Sequence, residues 1–114
     1  MVSTEKTFRR LVIGEPGLLA SMAELERQGE LVRLDDRTEA LVVVATLVAL
    51  DAPRSAYHAA VETALRAGAT LEDLLAVLFT IADSVGSTRI SAAAPKIALA
   101  AGYDVDAALE QAHR

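Results

Sequence analysis

From Ala40 to Leu50 the chain is apolar with one interruption, Thr46. As a helix, those residues rise roughly 16 Å, about half of a bilayer core. The run therefore reads as a buried helix and not as a membrane span. Leu41, Val42, Val43, Val44, Leu47, Val48 and Leu50 cover every face of that helix. A helix that is apolar all round is buried all round. In a chain of 114 residues this points to the centre of the domain or to a contact between subunits. A second run, Leu74 to Val85, is nearly as apolar. The mean hydropathy of +0.33 agrees. A small domain exposes much of its surface and cannot hide an unlimited apolar fraction. The economical explanation is a second buried surface, between subunits.

Apolar residues make up 53% and charged residues 24%, so the composition is that of a folded chain. Its length suggests one domain. Alanine and leucine dominate, and Gly and Pro fall between the apolar runs, which predicts an all-α bundle of about six helices. Residues 1–17 read as an irregular segment ending in Gly14-Glu15-Pro16-Gly17, and 18–114 as a single all-helical domain. A first helix is expected from about Leu18 to Gln28, stopped by Gly29. A second begins near Asp36, with Asp36 and Glu39 as a capping box. Pro53 suits the first position of a third, whose inward residues are Tyr57, Val61, Ala64 and Leu65 and which stops at Gly68. Thr70 caps a fourth that runs to Gly86. A fifth lies between Thr88 and Ala101, started late or kinked by Pro95, and Gly102 closes it. Asp104 caps a short sixth.

The formal net charge of −5 argues against a nucleic-acid partner, because phosphate binding needs clustered Lys and Arg. No cysteine is present, so disulfide and thiolate chemistry are unavailable. Two histidines offer no multi-His metal site. The expectation is no metal and no cofactor. Met1–Arg10 has no apolar core of signal-peptide length, so a cytoplasmic protein without a membrane partner is expected.

Three segments line up with a known family. They are Leu34-Asp35-Asp36-Arg37-Thr38-Glu39 before the apolar helix, the Asp51-Ala52-Pro53 break, and Ala64 to Leu74 with its Ala67-Gly68-Ala69-Thr70-Leu71-Glu72-Asp73 stretch. Together they resemble the carboxymuconolactone decarboxylase-like family, which shares its all-helical fold with the D component of alkyl hydroperoxide reductase. The resemblance covers Leu34 to Asp106. Ser91-Ala92-Ala93-Ala94-Pro95 and Ala101-Gly102-Tyr103-Asp104-Val105-Asp106 are similar to a cysteine-free branch. It implies self-assembly, with trimer or hexamer favoured. Redox members carry Cys-x-x-Cys, three residues, then His, with a Glu upstream. Counted from Glu39, these positions fall on Asp51, Arg54 and His58; counted back from Gly68, the histidine position is Ala60. A carboxylate and a guanidinium cannot form or break a disulfide, so the chain is not a thiol peroxidase or disulfide reductase of the family type.

Several residues are candidates for other chemistry. His58 and Glu62, four apart, share a helix face, where Glu62 could orient His58 as a general base; the plainer reading is a solvated or interface pair. Glu39 matches the family's upstream acid, and capping also accounts for it. Arg54 and Tyr57 stand where the resemblance places a pocket, and Arg54 could hold a carboxylate ligand or pair with Asp51. Asp83, in an apolar helix, reads as paired with Arg89; ligand binding by Arg89 is the alternative. Two functions remain open. One is a cofactor-free, decarboxylase-type enzyme or binder of a small carboxylated or hydrophobic metabolite. The other is a non-catalytic homo-oligomeric scaffold or binding module that retains the fold without the chemistry.

Overall fold

The computed structural model describes residues 4–29, 31–103 and 105–112. Among these, every regular element is a helix and none is a strand. Among the described residues no helix is long and apolar enough to cross a membrane. The chain divides into two compact units, Met1–Arg33 and Leu34–Arg114.

The first unit is a pair of helices, α1 (Thr4–Val12) and α2 (Leu18–Arg27). Thr4–Val12 thus forms a helix inside the stretch expected to be irregular, one helix more than the sequence predicts. Glu5 and Arg9 pair one turn apart at 3.2 Å and support it. Gly14 turns the chain at φ 66, and the amide of Glu15 donates to the Arg10 carbonyl. Phe8, Leu11, Leu25, Leu31 and Val32 line a shallow apolar groove of about 220 Å³.

The second unit holds α3 (Asp36–Ala49), α4 (Arg54–Arg66), α5 (Leu71–Val85), α6 (Ser87–Ala100) and α7 (Val105–Ala112). The expected cap at Asp104 lies outside the described residues. α3 packs on α4, α5 and α6; α6 in turn packs on α4, α5 and α7. The core takes one stripe from each of α3 to α6: Ala40, Val44 and Val48; Tyr57, Val61 and Ala64; Leu74 and Leu78; Ala93 and Ile97. The spacings of three and four are those of one helical face. Leu65, expected inside, lies outside this stripe and is exposed.

The two apolar helices are not enclosed. On α3, Val42 and Val43 remain exposed, as does Leu50 at its C-cap, and on α5 so do Leu71, Leu75 and Phe79. So few neighbours cannot cover every face of two helices at once, and the unit alone leaves one side of each open.

Several caps differ by a residue from the sequence reading. The N-cap of α3 is Asp35, in extended backbone, whose carboxylate accepts from the Thr38 amide at 2.9 Å and the Thr38 hydroxyl at 2.8 Å. Two adjacent acids both suit a cap, and backbone conformation chose the first. Asp36 is therefore the first helical residue, and the Asp36–Glu39 box is not formed. Pro53 is the N-cap of α4, not its first helical residue. The Thr70 cap forms as expected, and α6 runs through Pro95 from Ser87, directly after Gly86.

Candidate functional site

The end of α3 is built by residues from three helices. Asp51 is the only non-glycine residue with positive φ, at 50°, among the described residues. Its amide donates to the Val48 carbonyl at 3.1 Å and that of Ala52 to the Leu47 carbonyl at 3.0 Å, closing the helix in a left-handed turn. Two cations from α6 meet this end. The Arg89 guanidinium donates to the Ala49 carbonyl at 2.9 Å, and the Lys96 ammonium to the Ala52 carbonyl at 3.0 Å. Their positions differ by about two helical turns, so one face of α6 presents both. Positive charge is favourable there, where the helix dipole is negative and the last carbonyls lack helical partners.

Lys96 is the hub of this junction. Its ammonium lies 4.0 Å from the Asp51 carboxylate and 5.9 Å from the centre of the Tyr57 ring. Tyr57 is 1% exposed. Burial raises its phenol above the usual range, and the Asp51 charge adds to the shift. Arg54 opens α4 three residues after Asp51, on the surface.

His58 and Glu62 are exposed on α4, and among the described residues no hydrogen bond or ion pair joins them. Ala60, reached by the count from Gly68, is half-buried against the core. A difference of two residues turns a helix by about 200°, which sets the two positions on opposite faces. Glu39 is half-buried in the first turn of α3, with its amide on the Asp35 carbonyl at 2.9 Å. The expected Asp83–Arg89 pair is absent: Asp83 is exposed, and Arg89 reaches across to α3 instead. Sequence reasoning misses Lys96 and the turn position of Asp51. The two-turn spacing of Arg89 and Lys96 is the available signal, but it does not say which helix end they meet.

A second charged contact ties α3 to α5. Arg37 meets Asp73 through two nitrogens, at 2.8 and 3.3 Å. Asp73 also completes a capping box, accepting from the Thr70 amide at 2.8 Å while its own amide donates to the Thr70 hydroxyl at 3.0 Å. The Arg37 hydrogen bond and then the Thr70 amide hold the Asp73 carboxyl down at about 2. The contact is solvent-exposed and serves as a structural tie.

Between α5 and α6 lies an apolar groove of about 740 Å³. Leu71, Leu75, Leu78, Ile97, Ala98 and Tyr103 line it, and Glu72 is its one charged residue among those described. None of His58, Glu62, Glu39, Arg54, Tyr57 and Arg89 borders it.

The carboxymuconolactone decarboxylase family model matches residues 16–100. No curated protein and no solved structure matches the chain. The match runs through α2 to α6, including the Asp51 turn and the Thr70 box, and the described fold is all-helical as the family requires. On that match the chain belongs to the carboxymuconolactone decarboxylase family.

Proposed function

We propose that the chain works as a homo-oligomeric scaffold or binding module that keeps the family fold without thiol chemistry. The observation that carries this reading is the apolar surface left on α3 and α5, where Val42, Val43, Leu50, Leu71, Leu75 and Phe79 are exposed. Soluble monomers seldom carry apolar patches of several hundred Å². Covering such surface contributes roughly 25 cal/mol per Å² before association costs are subtracted. Closed symmetric assembly is the usual way to cover it. His58 and Glu62 do not border the groove, which supports a role without catalysis. Light scattering on a size-exclusion column tests the reading. A mass that is a multiple of 12.0 kDa is expected; a folded 12.0 kDa species at micromolar concentration overturns it.

A second reading, a binder of a small carboxylated metabolite, draws on the cations around Asp51. Arg54 is exposed at the start of α4, and Lys96 is half-buried at the same junction. In this reading both take a carboxylate. Titration with short dicarboxylates, followed by the shift in melting temperature, separates the readings. A saturable rise that disappears in Arg54→Ala supports the binder.

A further inference from the structure

We propose that the groove between α5 and α6 is a binding site for a cationic amphiphile, a primary ammonium carried on an apolar body, with the charge held between Glu72 and Tyr103 and the apolar part laid along the groove. The site goes beyond the homo-oligomer reading and does not depend on it.

Size and lining suit a small apolar ligand. The groove's volume of about 740 Å³ lies within the roughly 300–1,000 Å³ of small-molecule sites, whereas the groove of the first unit, at about 220 Å³, lies below it. Its lining runs from buried Leu74, Leu78 and Ile97 to exposed Leu71 and Leu75, so a ligand rests on the packed core of the unit. Leu71 and Leu78 stand about 10 Å apart along α5, the length of an extended alkyl chain of about eight carbons.

Charge sets the head group. α5 and α6 pack against one another and are joined by Gly86 alone, so the start of α5 and the end of α6 meet at one end of the groove. Three features there favour a cation. Glu72, in the first turn of α5, is the one charged residue of the described lining, and its carboxylate makes no hydrogen bond or ion pair with the described residues. The next acid, Asp73, is already held by Arg37 and the Thr70 amide, which leaves Glu72 free. Tyr103, 51% exposed, presents its ring to the same space, and the quadrupole of such a ring attracts an ammonium. α6 ends at its C-cap Ala101, two residues before Tyr103, and brings the negative end of its dipole. The positive end of α5 is met by its own Thr70–Asp73 capping box. A carboxylate on the same apolar body is repelled by Glu72 and finds no Lys or Arg in the described lining.

The test titrates octylammonium, hexylammonium and octanoate calorimetrically into the native protein, each below the concentration at which it self-associates. Octylammonium should bind saturably and several-fold tighter than octanoate. Hexylammonium, shorter by two methylenes, should bind roughly tenfold more weakly, since each buried methylene contributes a factor of about four. Glu72→Gln, at an exposed position, should keep the helical circular dichroism, weaken octylammonium about threefold and leave the affinity for uncharged octan-1-ol unchanged. Octanoate that binds as tightly as octylammonium, or an octylammonium affinity untouched by Glu72→Gln, overturns the site. A native protein that binds no octylammonium while its mass is a multiple of 12.0 kDa also overturns it, a second copy then being the occupant, and leaves the homo-oligomer reading standing. A monomer that binds octylammonium overturns that reading alone.

Discussion

The junctions at the two ends of α4 solve the same problem with different means. After α4, Gly68 takes φ 97 and the Ala69 amide returns to the Ala64 carbonyl at 3.0 Å. After α3, Asp51 takes φ 50 and the Ala52 amide returns to the Leu47 carbonyl at 3.0 Å. The hydrogen-bond pattern is shared. What differs is the residue in the left-handed position and what stands around it. Gly68 needs nothing beyond its missing side chain, and Thr70 and Asp73 begin α5 a few residues later. Asp51 sits where glycine is usual and is surrounded by groups from elsewhere in the chain: Arg89, Lys96 and Tyr57. A local junction is written in a few consecutive residues, whereas a tertiary junction is written across about three helices.

Removing the platform beneath the α3–α4 junction should have the largest effect. Tyr57→Ala deletes a side chain that is 1% exposed. A loss of about 3–5 kcal/mol in chemical denaturation is expected for a buried aromatic. A loss below about 1 kcal/mol would mean that Lys96 and Asp51 hold the junction without the ring.

Gly68→Ala comes next. A Cβ there meets nothing within 4 Å, so only the backbone objects. An L-residue in the left-handed region costs roughly 1–2 kcal/mol. An unchanged denaturation midpoint would show that the α4–α5 junction relaxes and depends on more than its own few residues.

Asp51→Gly should do less, and in the opposite direction. Relief of the left-handed strain outweighs the loss of a 4.0 Å exposed contact with Lys96, for a gain under about 1 kcal/mol. A clear destabilisation would show that the carboxylate, and not the turn, is what the junction uses.

The smallest effect is one of pH. The Asp73 carboxyl lies at about 2 in the folded chain against an ordinary value of 3.8. A depressed carboxylate stabilises the fold fully above its unfolded value and loses that contribution as pH falls from about 4 toward about 2. Asp35 is lowered as well, first by the Thr38 amide, and acts in the same direction. Thermal melts between about pH 5 and about pH 2 should show a steeper fall for the native chain than for Asp73→Asn. Equal slopes would mean that the Arg37 contact does not persist in solution.

Legibility in the sequence follows the same division. The inward face of α4 is readable because Tyr57, Val61 and Ala64 keep helical spacing among polar residues. Thr70 is readable as a cap because it immediately precedes acids and an apolar run. α1 is not, because Gly14-Glu15-Pro16-Gly17 outweighs a nine-residue helix supported by an exposed ion pair. Nearness in sequence suggests the Asp83–Arg89 pair. Arg89 instead finds the Ala49 carbonyl on another helix, because a helix end offers acceptors that no local pattern announces. His58, Glu62, Arg54 and Glu39 can be named from spacing and resemblance, but not placed relative to the groove or to Lys96.

The sequence by itself determined that this chain is helical, where most of its helices stop, and that it carries more apolar surface than its helices can hide. Those properties come from local backbone preference and from composition, and both are present before any contact forms. The tertiary structure decided which stripes of α3 and α5 go inward. An evenly apolar helix has no period to choose by, so its neighbours choose: Val44 and Val48 are buried because α4, α5 and α6 pack against α3, and Leu75 and Phe79 are exposed because no element of the unit covers them. It also decided that Arg89 closes α3 and Lys96 the turn that follows it, since only packing brings residues so distant in sequence within 3.0 Å of the Ala49 and Ala52 carbonyls.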